Sequence, residues 1–183
     1  MTLEDVLSYR TAHRENRMKA AQWVLAHPEH VEGLLRYTFK HNEKVALKAS
    51  WALEFVFLEK PELLYPYLDL FFSEIGEATH ESVIRPLAHI SEILCIKYYK
   101  KKDPELRAVL DEPHKELLIE CCFDWLIGDH KVACQCRAMT CLYYLGSEQE
   151  WIYPELKHIL NDRIHHGSAG YKNRAQKILD KLS

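Results

Sequence analysis

Asn42-Glu-Lys-Val-Ala-Leu-Lys-Ala-Ser-Trp-Ala-Leu53 decides how this chain folds, because it recurs, altered, as His80-Glu-Ser-Val-Ile-Arg-Pro-Leu-Ala-His-Ile-Ser91 and His130-Lys-Val-Ala-Cys-Gln-Cys-Arg-Ala-Met-Thr140. Each copy opens a helical stretch and is followed by a second. Val83 and Val132 stand 38 and 87 residues beyond Val45, a spacing that marks stacked helix pairs. The expectation is an all-α α-solenoid of about four helix pairs plus a C-terminal capping helix, one domain over residues 1–183. Such stacks present a long surface for holding something.

The punctuation between copies is physical. Pro28, Pro61, Pro104 and Pro113 stand where helices begin, since the first turn has no use for the missing N–H. The first helix ends near Ala26 and its partner carries Val31, Leu34, Leu35 and Phe39. After a turn at His41-Asn42, Asn42 is an N-cap for a helix carrying Val45, Ala49, Ala52, Leu53 and Val56 to about Glu59. Leu64, Leu68, Phe71 and Phe72 line its partner. The third unit starts near His80 and runs to the Lys100-Lys-Lys stretch, and Pro86 in its second turn should bend it. Residues 103–111 read as a short helical turn or connector, and Gly128 is a C′ residue. Asp129 caps the fourth unit, His130 to Leu145. The last helix, about Ala169 to Leu182, alternates Ala175, Ile178, Leu179 and Leu182 with polar residues, as an end cap should.

Composition sets limits on function. The 183 residues include 24 Lys and Arg against 27 Asp and Glu, a net charge of −3, so no global field gathers nucleic acid or anionic lipid. No stretch reaches the roughly 20 apolar residues of a membrane span, and the amino terminus lacks a secretory h-region. Cys95, Cys121, Cys122, Cys134, Cys136 and Cys141 lie among apolar residues as small hydrophobes. A reducing cytoplasm suits them as free thiols. Their spacing fits no structural zinc site, and His165-His166 adds nothing specific. No metal or cofactor is expected: phosphate loops, nucleophile elbows and zinc-protease helices are all missing.

The three copies resemble HEAT-like repeats, whose first helix reads Asp-x-x-Val-Arg-x-x-Ala. Val45, Val83 and Val132 hold the Val position, while Ala46, Ile84 and Ala133 replace the Arg. The usual Asp–Arg ladder is therefore displaced or missing. Glu54 and Arg85, both on opening helices, are the expected substitute pair. Trp51-Ala-Leu-Glu-Phe, Ser82-Val-Ile-Arg-Pro, Cys122-Phe-Asp-Trp-Leu-Ile, Trp151-Ile-Tyr-Pro-Glu-Leu and Ser168-Ala-Gly-Tyr-Lys-Asn-Arg-Ala resemble a family of short bacterial helical-repeat proteins of unknown activity. Some members of that family are labelled adenylosuccinate lyase, an activity that the resemblance would carry here. The lyase loop Gly-Ser-Ser-x-Met-Pro-x-Lys-x-Asn-Pro has only Gly167-Ser-Ala-Gly-Tyr-Lys-Asn as its counterpart.

In repeat register, Trp23, Trp51 and His89 correspond, with Lys48 one turn before Trp51 and Glu54 and Glu92 one turn after. Lys48, Trp51 and Phe55 share a helix face, as do Arg85, His89 and Glu92. Trp23, Lys48, Trp51, Glu54, Arg85, His89 and Glu92 are accordingly candidates for a concave groove binding a protein partner; the alternative places the tryptophans in the inter-repeat core and the charges on a solvated face. For an enzyme, Arg85, His89, Asp124 and Lys172 are the acid–base candidates. The third alternative is a nucleic-acid binder resembling the HEAT-like DNA glycosylases. Lys97-Tyr-Tyr-Lys-Lys-Lys102 could serve it, though cations ending a helix also complement its dipole.

Overall fold

Alanines let the principal helices come close. Ala49 and Ala52, Ala88, Ala138 and Ala175 are all fully buried, where a larger side chain would force neighbouring helix axes apart. The computed structural model, which describes residues 1–11, 13–40 and 43–183, arranges eleven α-helices around these contacts. They are α1 (Leu3–Leu7), α2 (Arg14–Ala26), α3 (Val31–Thr38), α4 (Glu43–Glu59), α5 (Leu68–Glu74), α6 (Glu81–Cys95), α7 (Pro104–Val109), α8 (Glu112–Ile127), α9 (Val132–Leu145), α10 (Ile152–Arg163) and α11 (Ala169–Leu182). Among the described residues there is no β-strand.

Helices α2, α4, α6, α9 and α11 pack side by side as a first layer. Helices α3, α5, α8 and α10 form the second. Phe39, just past α3, meets Phe71 of α5 edge-on at 6.5 Å, and Phe72 of α5 meets His114 of α8 at 5.3 Å. Arg163 of α10 then donates to the Leu126 carbonyl of α8 at 3.2 Å. This is the expected stack of four pairs and a terminal helix. One continuous apolar cluster runs between the layers, with Leu34, Leu53, Phe57, Phe71, Phe72, Ile84 and Leu87 fully buried in it. Each such side chain contributes about 1.5–3 kcal/mol.

Local chemistry explains the boundaries, including several that the sequence reading misplaced. Thr2 and Asp5 form a capping box on α1, a helix not foreseen. The partner opened by Pro61 consists of two short 3₁₀ turns, Pro61–Leu63 and Tyr65–Tyr67, before α5. Helix α6 continues through Pro86 and ends in a π turn, Ile96–Lys100. Asp111 and His114 form a second capping box, starting α8 one residue before Pro113.

Asp129 does not cap α9. That helix starts after Lys131, whose backbone N–H donates to Glu81 Oε2 at 3.1 Å, while His130 Nδ1 lies 2.5 Å from Glu81 Oε1. A carboxylate from the neighbouring helix thus sits beside the α9 amino terminus, where it complements the helix dipole, and no side chain caps the first turn. Gly128 ends α8 in an extended conformation, φ −73° and ψ 173°, without a left-handed turn. The one positive φ among the described residues belongs to Lys102, at 54°. The expected cap at Asn42 and the turn at His41-Asn42 lie outside the described residues.

Candidate functional site

The face of the first layer turned away from the second carries a row of polar contacts running from helix to helix. Glu54 of α4 is buried, with 7% of its surface exposed, and a buried carboxylate requires partners. Both come from α6: His89 Nδ1 at 2.8 Å and Arg85 at 3.5 Å. Burial raises the Glu54 pKa, but the hydrogen bond from His89 and the fields of Arg85, His89 and Arg137 outweigh it and hold the carboxyl below its ordinary range. Since an ionised carboxylate only accepts, His89 Nδ1 carries the proton in this contact.

The row continues across α9 to α11. Arg137 of α9 donates to the Arg85 carbonyl at 2.7 Å, and its Nε lies 3.8 Å from Glu92 Oε2. Arg174 of α11 reaches Glu92 Oε1 at 2.7 Å and also bonds Thr140 Oγ1. Glu54–Arg85/His89 and Glu92–Arg137/Arg174 therefore join four successive first-layer helices. These contacts involve none of Ala46, Ile84 and Ala133, the positions at which the repeat pattern would have placed the ladder arginines.

Aromatic rings take over at the amino-terminal end. Arg17 of α2 lies 4.9 Å over the Trp51 ring, Arg14 is 5.9 Å from Phe55, and Lys48 Nζ is 4.8 Å from the ring of Tyr9. Trp51 and Phe55 are half-buried. Tyr9 OH and Arg17 Nε are enclosed without a hydrogen-bond partner. Burial raises the Tyr9 phenol against the opposing field of Arg17, to about 12, so it remains a donor at neutral pH.

Of the seven sequence candidates, the structure brings Lys48, Trp51, Glu54, Arg85, His89 and Glu92 onto this face and sets Trp23 apart. Trp23 lines a small depression with Met1, Val6, Tyr9, Asn16, Lys19 and Ala20, and its ring stacks on His27 at 4.4 Å. Arg17, Arg137 and Arg174 belong to the row and were missed. Arg137 is next in sequence to Ala138, one of the buried alanines at the helix contacts.

The four acid–base candidates do not converge. Arg85 and His89 serve Glu54, Asp124 lines a second-layer groove with Glu116, Glu120, Phe123 and Trp151, and Lys172 lies beside Ile164 and His165. The segment after Gly167 is a helix start: Ser168 Oγ caps Tyr171 N at 3.3 Å. In the Lys97–Lys102 run the first three residues are engaged internally, while Lys100, Lys101 and Lys102 are exposed. Lys97 pairs with Asp103 at 2.8 Å, Tyr98 lies beneath Lys115, and Tyr99 bonds Glu148.

The six cysteines are free, and all but Cys136 are buried. Burial pushes Cys122 up to about 11 and Cys134 to about 12, which keeps them as unreactive thiols. No group of three or more His, Cys, Asp or Glu among the described residues is placed to hold a metal ion. A depression of about 350 Å³ lined by Phe39, Lys40, Glu74, Glu77, His80 and Val83 holds none of the row residues.

The repeated helix pairs and the cross-helix row define a helical-repeat protein. The chain belongs to the HEAT repeat domain family, whose model matches residues 3–182. No curated protein and no solved structure matches it. No helix of the described residues is long and apolar enough to cross a membrane.

Proposed function

We propose that the chain is a non-catalytic scaffold that holds a protein partner along the open face of its first layer. What supports this most is the row from Arg17 and Trp51 through Glu54, Arg85 and His89 to Glu92, Arg137 and Arg174. It offers a half-exposed indole beside partly satisfied charges, the combination that anchors protein interfaces. An internal ladder explains the paired charges, but it does not explain why Trp51 and Phe55 remain accessible beside them. Fold membership alone would not carry the reading. The six unpaired cysteines favour the cytoplasm as the working compartment.

Site-specific photo-crosslinking in cells tests it. A photoreactive residue at position 44, exposed on first-layer α4 one turn before Lys48, should trap a discrete protein adduct, and the same residue at position 117, exposed on second-layer α8, should not. Equal labelling at both positions, or adducts at 117 alone, would reject the assignment of this face.

A further inference from the structure

The cations on the open face divide into two kinds. Arg85, Arg137 and Arg174 each have a carboxylate within 4 Å. Arg14, Arg17 and Lys48 have aromatic rings instead, and among the described residues none of them forms an ion pair. The three cation–ring contacts follow one another along α4: Arg14 against Phe55, Arg17 against Trp51, and Lys48 against Tyr9. Residues 48 to 55 span about 10 Å of helix. Within that stretch Tyr9 OH and Arg17 Nε are enclosed donors with no acceptor, a condition that folded proteins normally avoid.

Resting on the scaffold reading, we infer that Tyr9, Arg14, Arg17, Lys48 and Trp51 form a receptor for carboxylates carried by an acidic segment of the partner. Carboxylates seated here pair with the charges of Arg14, Arg17 and Lys48, which no acidic side chain of the described residues neutralises, and guanidinium groups favour two-point contact with carboxylates. An extended chain advances about 3.3 Å per residue, so three or four residues cover the 10 Å row. Two or three acidic side chains in such a stretch match its cations. A long nucleic acid matches poorly, because Glu54 and Glu92 occupy the remainder of the face and the chain is acidic overall.

The probes are a fluorescein-labelled peptide of eight glutamates, its eight-glutamine counterpart and a single-stranded thymidine oligonucleotide, each titrated against the full chain by fluorescence anisotropy. The glutamate peptide should bind and the glutamine peptide should not, with affinity falling as salt rises. Arg17→Gln and Lys48→Gln should each weaken binding about tenfold, whereas Lys101→Gln should leave it unchanged. Lys48→Arg should retain binding and Arg17→Lys should lose less than Arg17→Gln, and circular dichroism should confirm that every variant is folded.

Failure of the glutamate peptide to bind below 1 mM (~4 kcal/mol), insensitivity to Arg17 and Lys48, or tighter binding of the oligonucleotide would each overturn the inference. A crosslinked partner at position 44 without glutamate-peptide binding would reject this inference and leave the scaffold reading standing. Glutamate-peptide binding with adducts confined to position 117 would reject the scaffold reading alone.

Discussion

Glu54 and His89 meet across the boundary between α4 and α6, with Oε1 2.8 Å from Nδ1, and this contact is closer than the 3.5 Å that separates Glu54 from Arg85. The carboxylate is nearly enclosed, while 39% of the Arg85 side chain is exposed. Water therefore screens the arginine and compensates for its loss, but cannot readily replace the partners of the glutamate. The three residues act as a unit with Glu54 at its centre.

The stabilities of single and double variants should reflect this asymmetry. Glu54→Gln should cost about 1–3 kcal/mol, as expected for a charged hydrogen-bonding group held in the interior. Arg85→Met should cost at most about 1. In urea unfolding, a Glu54→Gln/His89→Phe cycle should give a larger coupling energy than Glu54→Gln/Arg85→Met. Additivity of both cycles within about 0.5 kcal/mol would mean that the contacts contribute no coupling.

Acid should erase the Glu54 contribution. Its folded pKa lies below the ordinary value of 4.5, so the stabilisation is fully present above pH 4.5 and is lost as pH falls through the depressed folded value. The stability gap between wild type and Glu54→Gln should therefore narrow from pH 7 to pH 3. A constant gap would assign the effect of the substitution to packing.

Lys102 is an exposed residue with φ 54°. A side chain in the left-handed region costs about 1–2 kcal/mol, which exceeds the roughly 0.4–1 kcal/mol that glycine adds through the unfolded chain. Lys102→Gly should raise Tm by a few degrees, at about 2–4 °C per kcal/mol for a chain of this size. A fall in Tm would show that the lysine side chain itself stabilises the turn.

Two glycines should respond in opposite ways to alanine. A Cβ at Gly146 would lie 2.3 Å from Tyr153 Cε1, whereas one at Gly76 meets nothing within 4 Å. Gly146→Ala should lose about 1–3 kcal/mol through overpacking, and Gly76→Ala should be neutral or slightly stabilising. Thermal melts of the two variants would separate a glycine required by close approach from one that is not.

What could be read from the sequence followed from periodicity. The helix order, the four pairs and the Glu54–Arg85 pair all come from spacing along the repeats. Arg17 was hidden because the side of α2 that faces α4 is decided by tertiary packing, and for the same reason register alone does not show that the Trp23 ring stacks on His27. Arg137 and Arg174 join the row through side-chain length, a property that register alone does not capture. Thr2-x-x-Asp5 fits the capping-box pattern in the sequence, whereas Asp111-x-x-His114 does not and is seen only in the structure.

Two tryptophans mark opposite layers: Trp51 beside Arg17, and Trp151, 53% exposed and stacked on Phe123 at 5.6 Å. The affinity of the crosslinked partner for wild type, Trp51→Ala and Trp151→Ala, measured by calorimetry, is the most direct test of the scaffold account. Loss of an anchoring indole costs about 2 kcal/mol or more, so Trp51→Ala should weaken binding at least about thirtyfold while Trp151→Ala leaves it within twofold. Weakening confined to Trp151→Ala would place the partner on the second layer and contradict the account.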